Sequence, residues 1–215
     1  TMADLAGKRI ATPQMGNTQD IAARHYVTHE LKQANADDVL PVPNSEQLSM
    51  MARSQIDAAW VPEPWGARLE AEAGGKVIAQ EKDLWPDKEF GLTVVIVHPK
   101  FLKDHPEVVE KFLNSHVALT QQLASDPAGQ AARLESAMTT LTGKKLDRAI
   151  IDRSLERVKF TTDPLPHTFE VMAQWAADLG FSKSKPKVSD MFETSILQKI
   201  SGTKSQPSSP GSGGP

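Results

Sequence analysis

A turn between a short apolar run and a polar helix start is the part of this chain best suited to bind a ligand. Residues 7–20 read GKRIATPQMGNTQD; we interpret residues 8–12 as a strand and Asn17 or Thr18 as the start of a helix. Backbone N–H groups in the first turn of a helix lack internal partners, and the helix dipole favours negative charge there. The turn can therefore bind an anion. The candidate residues are Gln14, Gly16, Asn17, Thr18 and Gln19.

The same turn also fits a simpler interpretation, an ordinary capped helix. Asn17 is a favoured N-cap residue, and Asp20 stands three residues later, where it can complete a capping box. Helix caps are far commoner than anion sites, so the turn alone does not decide between the two interpretations.

A second candidate segment, residues 56–69, reads IDAAWVPEPWGARL. We predict a strand that ends at Trp60 and a helix that begins at Pro64 or Trp65. Ligands of open α/β sheets bind beyond the carboxyl ends of the strands, so both turns are predicted to face one crevice. Trp60 and Trp65 can line the apolar part of a ligand or pack in the core. Glu63 can bind an amine, pair with Arg68 or complement the helix dipole.

Composition excludes several function classes. The 215 residues carry a net charge of −3 and contain no cysteine. This charge gives no electrostatic case for nucleic-acid binding, and the missing cysteines exclude disulfides and thiolate sites. No apolar run is long enough to span a bilayer. His25 and His29 have the spacing of metal ligands, but no third ligand is evident, so we predict no metal site. No catalytic triad and no phosphate-binding loop is recognisable, so we predict neither an enzyme nor a cofactor site.

Strands and helices alternate through the first half of the chain. We predict strands at residues 8–12, 39–42, 56–60 and 76–80, with helices between them, which indicates an α/β layer with a mainly parallel sheet. The apolar run LTVVIV at residues 92–97 predicts a buried strand. Only helices are predicted after it, and the residues from 201 onward, rich in Ser, Gly and Pro, are predicted to be disordered.

Caps and apolar spacing predict further details of the helices. In the first half, Asn44 is predicted to cap the second helix and Gly74 to end the third. In the second half, one helix is predicted to have Phe112 and Leu119 on its inward face, another to end at Gly143, and the last to cover residues 189–200.

Four segments resemble the periplasmic solute-binding proteins of ABC importers, in the nitrate, sulfonate and taurine branch: LAGKRIATPQMGNTQDIA, SQIDAAWVPEPWGARL, GGKVIAQEKDLWP and VVIVHPKFLKDHPEVVEKFL. The resemblance implies the type II fold, in which two α/β lobes close on a ligand. Residues 4–90 would form the second lobe, and residues 91–200 the return strand and helices of the first lobe and hinge. Strands that normally precede Asp4 are missing, so we expect an incomplete bilobal fold of marginal stability.

The resemblance also implies a function. Such a protein binds a small organic anion and delivers it to a membrane permease from the periplasm or from a lipoprotein anchor. By position, Asn17 and Thr18 would contact the oxyanion, and Trp60, Glu63 and Trp65 would line the opposite wall. The Ser-rich turn of better-known sulfonate binders is replaced here by residues 16–19. No cofactor is implied.

Two other classes with related folds are alternatives. The effector domain of a LysR-like regulator would need a DNA-binding segment upstream, and the later helices match it poorly. An enzyme of the thiamine-pyrimidine-synthesis type uses a cysteine-rich motif, whereas this chain has no cysteine.

Overall fold

A three-stranded parallel sheet forms the centre of the first half of the chain. The computed structural model describes residues 1–202. The strands are β1 (Ile10–Thr12), β2 (Val39–Pro41) and β3 (Ala58–Ala59), in the order β2-β1-β3. All three residues of β1 are buried, because strands flank it on both edges and helices cover the sheet. The parallel sheet is confirmed, although its strands are shorter than predicted.

Helices connect these strands as the alternating pattern predicts. They are α1 (Thr18–His25), which continues as a wider π-helical turn (Tyr26–Glu30), α2 (Asn44–Ala52) and α3 (Trp65–Ala73). Gly74 ends α3 in the left-handed conformation that glycine adopts without strain. The core between α1 and the sheet consists of five buried side chains: Leu5, Ile10, Ala23, Val27 and Val39.

The second half is helical in the part of the chain that the structure describes. Its helices are α4 (Pro99–Asp104), α5 (Pro106–Ser125), α6 (Pro127–Thr142), α7 (Arg148–Leu155), α8 (Pro166–Asp178) and α9 (Ser195–Ser201). Four of them begin with proline, which suits the first helical position because its missing N–H would be unpaired there. Helix α7 packs on α3 and α8 packs on α1, so these two helices join the halves.

Two predicted strands do not form. Residues 76–80 and 92–97 have no regular secondary structure and pair with no strand among residues 1–202. In the first of these segments Val77 is 44% exposed. In the second, Ile96 is 88% exposed, so the predicted burial of residues 92–97 is wrong. An extended segment becomes a strand only where a neighbouring strand meets its N–H and C=O groups. Apolar sequence alone does not supply that neighbour.

The predicted inward face of α5 is also largely exposed. Phe112 and Leu119 have helical spacing but are 54% and 43% exposed. The predicted helix is therefore confirmed, whereas no element among the described residues covers the face that carries Phe112 and Leu119. The helix predicted at residues 189–200 is divided into a 3-10 turn (Val188–Met191) and α9. The predicted disordered tail begins too early at residue 201, because Ser201 is the last residue of α9; residues 203–215 of the predicted tail lie outside the described residues.

Together these elements form an α/β fold of the periplasmic-binding-protein type, with a small parallel sheet and many helices. Searched over residues 1–202, the helices include none with the length and apolar character needed to cross a membrane.

Candidate functional site

The carboxyl ends of the three strands meet at one edge of the sheet. The backbone N–H of Trp60 donates to the carbonyl of Ala11 at 2.8 Å, and that of Val42 donates to the carbonyl of Thr12 at 2.7 Å. The turns that follow β1, β2 and β3 therefore start side by side, as the parallel pattern predicts. This edge is the candidate functional site.

The turn after β1 leads directly into α1. The side chain of Asn17 accepts a hydrogen bond from the backbone N–H of Asp20 at 2.9 Å, which confirms the predicted N-cap. Gly16 has φ of 74°, a conformation that favours glycine. Among residues 1–202, no acceptor is hydrogen-bonded to the backbone N–H groups of Thr18 and Gln19. The start of α1 therefore offers two free donors beside a satisfied cap.

Asp20 lies beneath this turn and is completely buried. Its carboxylate accepts hydrogen bonds from the Thr12 hydroxyl at 2.7 Å, the Gly16 N–H at 2.8 Å and Arg24 Nε at 2.9 Å. The predicted capping box is wrong, because this carboxylate bonds Gly16 and not the N–H of Asn17. Asp20 instead anchors the turn to β1, and Arg24 neutralises its charge.

Gln19 adds a side-chain donor to the first turn of α1. The residue is only 6% exposed, and its Oε1 accepts a hydrogen bond from the Thr18 hydroxyl at 3.1 Å. Its amide nitrogen has no acceptor among residues 1–202. Gln14 is exposed at the rim of the same turn. This arrangement presents N–H groups and no unpaired carboxylate, which suits an anion.

The turn after β2 is capped differently from the sequence prediction. Asn44 is the first helical residue of α2 and not its cap, and Pro43 precedes it. The Gln47 amide donates to the carbonyl of Val42 at 2.6 Å, which fixes the end of β2. The oxygens of both amide side chains are buried without a hydrogen-bond partner among the described residues.

Trp60 follows β3, and its indole N–H is already hydrogen-bonded within the chain. Its indole N–H donates to Glu81 at 2.7 Å, and Trp85 donates to the same carboxylate at 3.1 Å. The Trp60 ring packs against the core of the first half and lies 6.0 Å from the ring of Tyr26. Burial raises the pKa of Glu81 to about 7, although both indoles favour its charged form. Trp60 therefore contributes to the framework of this edge.

Glu63 joins α3 to α7. Its carboxylate accepts hydrogen bonds from the Ala67 N–H at 3.0 Å, from Ser154 at 3.2 Å and from Arg157 at 3.0 Å. The alternative pairing with Arg68 is therefore wrong, because Glu72 is the partner of Arg68 at 2.7 Å.

Trp65 lies in the first turn of α3, where the Arg68 guanidinium covers its ring at 4.6 Å. The structure thus places Trp60, Glu63 and Trp65 at the predicted edge of the sheet. Each of the three side chains contacts other side chains of this chain. Their contact with a ligand stays a prediction.

Phe181, which sequence reasoning missed, borders the turn after β1. A Cβ atom built on Gly16 would lie 3.4 Å from Cδ1 of its ring. The ring is 42% exposed and follows α8, which packs on α1. Since Phe181 lies 165 positions after Gly16 in the sequence, no local pattern connects them.

His25 and His29 pack as rings and do not form a metal site. Their ring centroids are 4.3 Å apart, and the opposite face of His25 stacks on Trp175, also at 4.3 Å. Burial and the neighbouring His29 lower the pKa of His25. Within residues 1–202 there is no group of three His, Cys, Asp or Glu side chains that could hold a metal ion.

Comparisons with known proteins agree with this architecture. The NMT1-like family model matches residues 1–139, well over half of the chain. Among solved structures, the alkanesulfonate-binding protein SsuA from Xanthomonas axonopodis pv. citri, bound to MOPS, is similar with a TM-score of 0.61 and 20% identity. The match covers 87% of this chain and 62% of that one, so this chain spans less than two thirds of the SsuA structure. No curated protein matches. The chain belongs to the NMT1-like family and has the fold of a periplasmic binding protein.

Proposed function

We propose that this chain is part of the solute-binding component of an ABC importer. It binds a small oxyanion, either an organic one of the aliphatic sulfonate or taurine type or a nitrate-like one, and in the periplasm it delivers this anion to a membrane permease. The family match and the fold support this proposal, as does a structural relative named for alkanesulfonate binding. Binding proceeds without a chemical step, so the ligand leaves unchanged.

The single observation that carries the proposal is the start of α1. The N–H groups of Thr18 and Gln19 are free among the described residues, and the Gln19 side-chain amide, whose nitrogen has no acceptor there, lies in the same turn. Asp20 places a carboxylate below the turn, but its ion pair with Arg24 cancels that charge. The helix dipole therefore acts on a ligand without an opposing negative charge. Hydrogen bonds from fixed donors to an anion are stronger than those between neutral groups.

The exposed apolar run at residues 92–97 supports the two-lobe part of the proposal. Ile96 is 88% exposed and Val95 is 49% exposed, in a segment that has no strand partners among the described residues. We propose that residues 4–90 form one lobe and that residues 91–200 belong to the other lobe and the hinge. In that arrangement, strands of the other lobe would pair with residues 92–97. The ligand would then exchange water for protein donors as the lobes close.

Trp60, Glu63 and Trp65 have a supporting role in this proposal. Their polar atoms and ring faces already contact other side chains, so they position the edge of the sheet on which the ligand rests. The direct donors are those of α1.

The test is a binding screen with one charge-changing variant. Thermal shift and calorimetry would be run with alkanesulfonates, taurine, nitrate, bicarbonate and small carboxylates. A ligand at 100 times its Kd stabilises the fold by about 2.7 kcal/mol. Asn17→Asp retains a good N-cap but adds a negative charge beside the anion, so we expect affinity to fall about tenfold or more.

The matched control is Asn114→Asp, which makes the same change on the exposed surface of α5. It should leave the Kd within about twofold, since α5 packs on α4, α6 and α9, and salt screens an exposed charge on its surface. Binding of none of these anions, or equal affinity for Asn17→Asp and the unmodified chain, would overturn the proposal. Recovery of a chemically altered ligand would indicate an enzyme instead.

A further inference from the structure

The ring of Phe181 is an exposed apolar surface next to the anion-binding turn. It lies 3.4 and 3.5 Å, at Cδ1 and Cε1, from the place where Gly16 would carry a Cβ atom. Gly16 immediately precedes the N-cap residue Asn17, so the ring borders the first turn of α1. With 42% of its surface exposed, the ring retains a face for a further contact.

Backbone hydrogen bonds after α8 hold Phe181 in this place. Its N–H donates to the carbonyl of Ala176 at 2.8 Å, and the N–H of Gly180 donates to that of Ala177 at 3.0 Å. Gly180 has φ of 78°, which lets the chain reverse there. One turn earlier in α8, Trp175 stacks on His25 of α1 at 4.3 Å. The ring is therefore positioned by the packing of α8 on α1.

The first turn of α1 carries a side-chain donor as well as its free backbone N–H groups. Gln19 is 6% exposed, and its amide nitrogen has no acceptor among residues 1–202. This nitrogen is not one of the buried atoms without a partner, which among the described residues are Asn44 Oδ1 and Gln47 Oε1, so it reaches solvent and can donate to a bound acceptor. The Trp60 indole is meanwhile hydrogen-bonded to Glu81, and the Trp65 ring is covered by Arg68. Phe181 is thus the aromatic ring left open beside this turn.

We propose that Phe181 determines specificity by packing against the carbon chain of the ligand while the start of α1 binds its anionic group. This inference rests on the proposed function and narrows the ligand class to organic anions with an alkyl chain. A cavity of about 350 Å³ borders the same ring, between α1 and the end of α8; beside the apolar Leu179 and Phe181 its lining includes polar and charged side chains, among them Arg24, Thr28 and Asp178.

The test is the dependence of affinity on chain length. Calorimetry would measure the Kd of nitrate, sulfate and the straight alkanesulfonates from methane- to hexanesulfonate, for this chain and for Phe181→Ala. Burial of each methylene against one side of a ring should strengthen binding about twofold, and full burial about fourfold. We expect Phe181→Ala to abolish this increase while the Kd of methanesulfonate changes less than about threefold. A merely structural role would weaken all ligands equally.

Phe101→Ala is the matched control, since Phe101 is similarly exposed at 44% and lies in α4. It should leave the dependence on chain length intact. Phe181→Leu serves as a second variant if Phe181→Ala does not fold, and should retain part of the increase. Binding with the same chain-length dependence in the Phe181 variants would overturn this inference and leave the proposed function standing. Failure of every anion to bind would overturn both.

Discussion

Two regions of this protein have similar apolar sequence and very different burial. In β1, Ile10 is 1% exposed and Ala11 is fully buried, whereas Ile96 in the run at residues 92–97 is 88% exposed. The difference is not in the side chains. Strand β1 has a hydrogen-bonded neighbour on each edge, and residues 92–97 have none among the described residues. Burial of a strand therefore depends on distant segments that supply its neighbours.

The largest expected effect would break the buried network of the first region. Asp20→Ala leaves the Arg24 guanidinium, 14% exposed, without its carboxylate and leaves Thr12 and Gly16 without their acceptor. Loss of one partner of a buried ion pair costs about 3–5 kcal/mol. We expect urea unfolding to show a decrease of that size in the free energy of unfolding.

The control for this prediction is Asp57→Ala, because Asp57 pairs with Arg9 where both side chains are well exposed. Exposed ion pairs contribute about 0–1 kcal/mol. Equal losses for the two variants would show that Asp20 does not anchor the turn.

Matched isoleucine substitutions test the comparison itself. Ile10→Ala removes buried methyl groups from the centre of the sheet and should cost about 2–5 kcal/mol. Ile96→Ala removes exposed ones and should change stability by less than about 0.5 kcal/mol in this chain. Denaturant melts of both variants measure the difference. In a longer protein that pairs residues 92–97 with further strands, the cost of Ile96→Ala should rise toward that of Ile10→Ala; a cost that stays near zero would contradict the two-lobe proposal.

A smaller effect is expected at Glu81, which lies between the two regions. Its pKa in the folded protein is raised to about 7 from an ordinary value near 4.5. Below pH 4.5 the carboxyl is protonated in both the folded and unfolded states. As the pH rises from there to 7, the unfolded chain releases the proton first, so the free energy of unfolding falls, by at most about 3 kcal/mol. Above pH 7 this contribution is lost.

Stability measured by urea unfolding at several pH values checks this prediction. Glu81→Gln retains an acceptor for one indole and has no titratable proton, so its stability should be flatter between pH 4.5 and 7 than that of the unmodified chain. An identical pH profile for the two proteins would show that another group is responsible.

Local features of this fold were predictable from the sequence. The cap at Asn17 depends on residues three positions apart, and the helix ends at Gly74 and Gly143 depend on the backbone freedom of one residue each. The alternation of strands and helices predicted that the strands run parallel, as they do. Each of these predictions needed only neighbouring residues or a repeating pattern.

Contacts between distant segments were not predictable in the same way. Glu63 pairs with Arg157, 94 positions away, and not with Arg68 close by. Trp60 donates to Glu81, and Phe181 reaches Gly16 through the packing of α8 on α1. A single sequence does not state which of several carboxylates or rings is nearest in space. The sequence therefore predicted which turns lie together at the edge of the sheet, whereas it did not predict the partners of their side chains, and ligand binding at this edge stays a prediction.

The arrangement of the tryptophans has an optical consequence. Three of the four indoles are linked: Trp60 and Trp85 share one carboxylate, and the rings of Trp85 and Trp175 are 4.6 Å apart. Because Trp175 also stacks on His25 of α1, the fluorescence of the unlabelled protein reports on the contact between α1 and α8. Phe181 follows that same helix, so tryptophan fluorescence would also respond to a movement of Phe181 relative to the turn after β1.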